Sequence, residues 1–238
     1  MLALIKWHIA YYLNSARYLP GLICYFLFLV INYQISPTVI GVNLHLTLIA
    51  TFILANVVAS GMVNTEDKTQ ELVTTLKATS ARRYHVSQVL GVLVFTAPLY
   101  LVSILFPIVA GRYTRSLGLG ELSLHVALHG VFSLLGTSLG VLFNRHLIPL
   151  QEKRILSHGL LLLIVLVPLN LILPENVLLR YAYFLLPPIY ALGSWLHELG
   201  DGVMVVDGYL LTFVVHSLVY AGVLLGGYLV LIGRYSRR

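Results

Sequence analysis

Glu121, His125 and His129 recur at i, i+4 and i+8, the spacing that stacks side chains on one face of a helix. Such a column of carboxylate and imidazole groups has the chemistry to hold a metal ion or pass protons. Groups of this kind inside an apolar bundle are more often hydrogen-bonded to one another, and the sequence offers no fourth ligand, so the expectation is no metal site. Gly136-Thr137-Ser138-Leu139-Gly140 has the glycine spacing of a serine-nucleophile turn, with His216 as a conceivable base. Depth argues against that pairing. Ser138 falls ~24 Å and His216 ~12 Å below the ends of their helices at 1.5 Å per residue, whereas a nucleophile and its base must approach to ~3 Å. Two glycines around a serine in an apolar helix serve close packing instead. His197-Glu198 lacks the second histidine of HExxH. A phosphate-binding loop needs Gly-Lys before Ser or Thr, and Lys6, Lys68, Lys77 and Lys153 follow Ile5, Asp67, Leu76 and Glu152. No catalytic residue is therefore assigned, and no cofactor is expected on this chain.

The elements that must position these residues are set by composition. Of the 238 residues, 58% are hydrophobic and 10% charged, with a mean hydropathy of +0.89; soluble domains carry about 25% charged residues. The apolar runs approach the ~20 residues that cross a ~30 Å hydrocarbon layer. The expected fold is an all-α integral membrane protein. The single cysteine, Cys24, lies in the first apolar run and supports neither a disulfide framework nor a cysteine metal cluster. The net charge of +6 is explained by cations at one membrane face rather than by nucleic acid, which is not an expected partner.

Residues 1–18 mix Trp7, Tyr11, Tyr12 and Tyr18 with Lys6, His8 and Arg17, too polar to span and suited to a helix lying in the interface. They do not read as a cleaved signal peptide. Six spans follow, at about 19–35, 40–63, 86–108, 122–143, 155–173 and 208–232. With the N-terminus in the cytosol, Lys6, Arg17, Lys68, Lys77, Arg82, Arg83, Arg145, Lys153, Arg154, Arg234, Arg237 and Arg238 all fall inside, leaving Arg112, Arg115 and Arg180 outside. That bias puts both termini in the cytosol of a cell-membrane protein. Segments 177–186 and 189–199 are apolar pieces too short to cross, broken by Pro187-Pro188, and read as re-entrant helices. Small residues four apart at Gly136 and Gly140, and again at Gly222 and Gly226, predict close helix approach.

One stretch does not fit a lipid solvent. Residues 64–88, NTEDKTQELVTTLKATSARRYHVSQ, form a long charged insert with helical periodicity. Asn64 or Thr65 can cap a helix over about 65–78 whose first turn carries Glu66 and Asp67, favourable at the positive end of the helix dipole. Leu72, Val73 and Leu76 make a narrow apolar stripe on it. Thr79-Ser80 offers a second cap, and Arg82-Arg83 lead into the third span. A solvated connector needs only a few residues, whereas this one keeps an apolar face for a partner.

Residues 66–91, EDKTQELVTTLKATSARRYHVSQVLG, resemble the permease subunits of ABC-2 type ATP-binding-cassette exporters. The likeness lies in an acidic start, a Leu- and Thr-containing helix, small polar residues, a basic pair and the beginning of a span; this chain lacks the glycine that the family shows near Thr69. The interfacial helix, six spans and re-entrant segment extend the likeness over most of the chain. The resemblance implies that residues 66–76 form a coupling helix in a groove of a separate ATPase subunit, with Glu66, Asp67, Glu71, Leu72, Val73, Leu76, Lys77, Arg82 and Arg83 at the contact. It further implies ATP and Mg on that partner, a second permease copy, identical or related, and outward movement of cargo. The scarcity of ionisable groups at mid-membrane points to a hydrophobic or amphiphilic cargo such as a peptide, lipid or drug. The alternatives are a rhomboid-like intramembrane hydrolase and a stand-alone channel or carrier.

Overall fold

The computed structural model describes residues 1–34, 37–166 and 187–235. All regular structure among them is helical, as an apolar solvent demands, because each backbone N–H and C=O in hydrocarbon must be satisfied within its own segment. The helices are α1 (Leu2–Asn14), α2 (Leu19–Asn32), α3 (Ile40–Met62), α4 (Lys68–Lys77), α5 (Ala81–Val109), α6 (Leu119–Gly140, extended by a 3-10 turn at Val141–Phe143), α7 (Gln151–Leu166), α8 (Ile189–Leu199) and α9 (Gly208–Tyr235).

Four of these are long and apolar enough to cross a membrane, namely α3, α5, α6 with its 3-10 turn, and α9; a fifth span results if α1 and α2 are counted together. The chain is thus a multi-pass helical membrane protein. The expected first span, 19–35, is a helix of only 14 residues, short of the ~20 that cross unaided. It ends at Asn32, whose side-chain amide donates to Asn43 Oδ1 at 2.6 Å and ties it to the start of α3. The axes of α1 and α2 differ by 84°. The corner is made at Ala16, in the left-handed region with φ +56°, and by Pro20 in the first turn of α2.

The third span begins earlier than its hydropathy, at Ala81 rather than 86, because the Ser80 hydroxyl accepts the Arg83 amide at 3.2 Å and fixes the helix start. The helix continues through Pro98 and Pro107. Of the expected fifth span, 155–173, only the part within α7 is described, and the remainder lies outside the described residues. So do 177–186, Arg180, Arg237 and Arg238. The described part of the re-entrant segment is one helix, α8, against the start of α3, where the Gly41 amide donates to Gly200 O at 2.9 Å.

The centre of the bundle is the pairing of α3 with α6. A Cβ at Gly136 or Gly140 would collide with the carbonyl oxygens of Phe52 and Asn56, so these glycines let the two backbones touch. Leu48, Phe52, Phe132 and Leu135 fill the seam, and Leu192 of α8 with Phe213 of α9 close over it. Nearer the α4 end, Tyr12, Tyr25, Met62, Val92 and Tyr228 join α1, α2, α3, α5 and α9. The other small-residue pair behaves differently from expectation. A Cβ at Gly222 or Gly226 would meet nothing within 4 Å among the described residues, because these glycines sit on a face of α9 that no described helix covers.

Candidate functional site

α4 starts where its chemistry dictates, two or three residues later than the periodicity predicts. Asp67, not Asn64 or Thr65, is the cap, its carboxylate accepting the Gln70 amide at 2.8 Å. The helix ends at Lys77, a cation where the dipole is negative. Thr79, with φ +66°, breaks the chain before Ser80 starts α5.

Asn64 and Thr65 are used otherwise. The Asn64 amide donates to Ser60 O at 2.7 Å and Phe143 O at 2.8 Å, and its Oδ1 accepts the Arg145 amide at 2.8 Å, so one side chain joins the ends of α3 and α6. Glu66 is tucked inside, where Trp7 Nε1 donates to Oε1 at 3.2 Å and His8 Nδ1 lies 3.1 Å from the same oxygen. The other ring nitrogen of His8 is 2.9 Å from Ser87 Oγ on α5. Arg145 donates to the Glu66 carbonyl and to the Glu71 carboxylate, whose second oxygen lies 2.8 Å from His146 Nε2. A second layer continues the collar: the Asn144 amide donates to Tyr228 Oη at 3.3 Å, Tyr228 meets His85 at 3.1 Å, and His85 meets Gln88 at 3.0 Å. α4 is therefore bound through Glu71 to the turn after α6, and the Glu66 that precedes its cap is bound to α1; Ser87 and the second layer carry these ties on to α5 and α9.

The Glu71 carboxyl is a balance of opposing effects. Burial alone raises it, but hydrogen bonds from His146 and Arg145, with the charges behind them, outweigh burial and hold it below its ordinary value. It is the ionised form that locks α4 to Arg145.

The outcome is a helix turned inside out. α4 buries Glu71 and Thr74, while Leu72, Val73 and Leu76 are 61%, 40% and 71% exposed. Lys77 and Arg83 line a groove beside Trp7, and Asp67 and Arg82 are on the surface. The apolar stripe expected from the sequence is present and exposed. What sequence reasoning missed is what holds it: Trp7, His8, Arg145 and His146. The signal present was Asn144-Arg145-His146, three polar residues directly after an apolar helix that ends level with the end of α3.

Of the remaining candidates Glu121, His129 and Ser138 are engaged elsewhere, and His125 Nε2 is buried with no hydrogen-bond partner among the described residues. Arg115 forks onto Glu121 with bonds of 2.8 and 2.6 Å, and the Gly118 and Met204 amides donate to the same carboxylate at 3.0 Å each. His129 Nδ1 lies 2.7 Å from the His125 carbonyl, and its ring stacks on Tyr100. Among the described residues no group of three or more His, Cys, Asp or Glu is arranged to hold a metal. Ser138 is buried and donates to Leu135 O of its own helix at 2.8 Å, as a packing residue does. No family model, no curated protein and no solved structure matches the chain.

Proposed function

We propose that this chain is the permease subunit of an ATP-driven exporter of the ATP-binding-cassette type, and that α4 is its coupling helix. The observation that carries the reading is the exposed apolar face of Leu72, Val73 and Leu76 on a short helix whose polar face is fastened to the bundle. A solvated connector has no use for either half of that arrangement. A stiff lever needs both: an apolar surface for another protein to grip, and rigid ties that deliver the displacement to α1, α5, α6 and α9.

In this reading the α4 end faces the cytosol of a cell membrane. Lys6, Arg17, Lys68, Lys77, Arg82, Arg83, Arg145, Lys153 and Arg154 belong to that end, against Arg112 and Arg115 at the other, which supports it. Both termini are then cytosolic. The full chain forms six spans, with α2 and the region beginning at α7 supplying the two that length alone does not give. A separate ATPase subunit binds ATP and Mg, this chain has no enzymatic role, and a second permease, identical or related, completes the pathway. The cargo is hydrophobic or amphiphilic.

The test is capture of the partner. Leu72→Asp with Leu76→Asp leaves the protein inserted and monodisperse but weakens co-purification of the ATPase from native membranes by at least about a hundredfold, since two buried leucines are worth roughly 3 kcal/mol or more together. ATP-dependent transport falls with it. Undiminished capture by the double variant, or the absence of any ATPase from wild-type preparations, overturns the proposal.

A further inference from the structure

A groove of ≈ 380 Å³ runs between α1 and α4, lined by Leu4 and Trp7 on one side, Gln70, Thr74 and Lys77 on the other, and Arg83 at the start of α5. The two charged side chains in its lining are both cations, Met1 also lines it, and no carboxylate does. Lys77 and Arg83 are exposed.

The depth of the groove follows from the 84° corner between α1 and α2. α2 packs along α3, a helix of crossing length, so α1 lies close to the membrane plane. Its outward face is apolar with a cation, Leu2, Lys6, Trp7, Ala10 and Leu13, and its inward face, His8 and Tyr12, sits on the bundle. A helix of that pattern in that orientation beds its apolar face at the boundary of headgroups and acyl chains, where tryptophan also settles. A groove beside a helix so bedded opens at headgroup depth, and this one has Leu4 and Trp7 on its α1 side and Lys77 and Arg83 on the other.

We propose that this groove binds one anionic phospholipid of the leaflet in which α1 lies. Its phosphate is held by Lys77 as a point charge and by the guanidinium of Arg83 through paired N–H donors. Gln70 and Thr74 offer neutral polar contacts to the headgroup, and the upper acyl chain passes Trp7 and Leu4. Gln70, Thr74 and Lys77 lie on a different face of α4 from Leu72 and Leu76, with Val73, one turn before Lys77, at the border between the two faces. The lipid then braces α4 against α1. The binding does not depend on the exporter reading and is tested without any ATPase.

The experiment places the full chain in phosphatidylcholine nanodiscs, with Trp195→Phe leaving Trp7 as its only tryptophan. It reads Trp7 quenching by lipids brominated high on the acyl chain. Brominated phosphatidylglycerol is expected to displace phosphatidylcholine from the site with an exchange preference of about tenfold. Lys77→Gln with Arg83→Gln removes the preference, the single Lys77→Gln reduces it, and the charge-conserving Lys77→Arg with Arg83→Lys keeps it. Soluble glycerol phosphate leaves the wild-type preference unchanged. Equal quenching by the two lipids in the wild-type background overturns the proposal, whatever the variants do. So does a preference that survives both glutamines, which assigns it to other cations, or one abolished by glycerol phosphate, which makes the ligand a free phosphate. Equal quenching together with loss of a co-purifying protein in the double glutamine variant gives the groove to an acidic segment of that partner and overturns the lipid assignment.

Discussion

The bundle carries a carboxylate and arginine cluster at each end, and the two do opposite things with the same chemistry. At the end away from α4, Arg115 grips Glu121, Asp201 accepts the Thr114 hydroxyl at 2.7 Å and the Ile40 amide at 3.0 Å, and Arg115 also donates to the carbonyls of Asp201 and Gly202. Each of these bonds joins loops to one another or to a helix start. At the α4 end, Glu66 and Glu71 are drawn under α4 by His8, Arg145 and His146, and the helix above them points leucines outward. One cluster seals the bundle. The other holds part of it out. Apolar residues are exposed at both ends, Leu119 and Val203 near Glu121 as Leu72 and Leu76 near Glu71, so the difference lies in what the carboxylate holds: loops and a helix start in the first case, one face of a helix in the second.

The contrast breaks most visibly at Arg145. Arg145→Ala strips Glu71 of its guanidinium partner while leaving the carboxylate largely buried, a loss on the order of 3 kcal/mol in docking of α4. Hydrogen exchange of the amides of Lys68–Lys77 should accelerate while those of Ile40–Met62 hold. Acid does the same reversibly. The Glu71 carboxyl is held below 4.5 in the folded protein, so its contribution is complete above that value and is lost as pH falls through the lower, folded value. α4 protection should stay level from neutral pH to 4.5 and drop below it, and Glu71→Gln should abolish that step. Asp201 is also depressed, chiefly by the Thr114 hydroxyl and the Ile40 amide, so the far end loosens in acid too; the glutamine variant distinguishes the ends.

At the sealed end Arg115→Ala leaves Glu121 with amide donors alone and should lower stability by about 2 kcal/mol, read as a fall in melting temperature with α4 exchange unchanged. Faster exchange in α4 in that variant would mean that the two clusters are one unit. Asp67→Ala removes only a cap, about 1 kcal/mol, and should fray the first turn of α4 without undocking Glu71.

How much of this the sequence disclosed depends on how far apart the partners are. Caps and periodicity are local, so a helix in the insert, its apolar stripe and the Ser80 start of α5 were all legible, and only the choice of Asp67 over Thr65 as cap was misread. Glu66 looked like a first-turn acid; its real partners Trp7 and Arg145 are 59 and 79 residues away, and no pattern in a single chain joins them. The Glu121, His125 and His129 column was legible as spacing, while its meaning came from Arg115, which only the bend of the loop before α6 brings back. Gly136 and Gly140 pack α6 on α3 as expected, while Gly222 and Gly226 meet no described helix, because the same spacing cannot say which helix face meets a neighbour. The length of α2 was overread because Tyr33 and Ile35, past Asn32, prolong the apolar stretch in composition.

The smallest effect is the sharpest test of the contrast. A leucine that serves the fold, such as the fully buried Leu48, costs about 2–5 kcal/mol when cut to alanine, through lost transfer energy and the cavity left behind. Leu72 and Leu76 touch little of their own chain, so Leu72→Ser with Leu76→Ser should move stability by no more than ~0.5 kcal/mol per site, with an unchanged melting temperature and unchanged exchange in α4. A fall comparable to that of Leu48→Ala would show that this chain covers the stripe itself, and the apolar face would then be core rather than contact surface. An unchanged fold would leave two exposed leucines that contribute nothing to the stability of the chain.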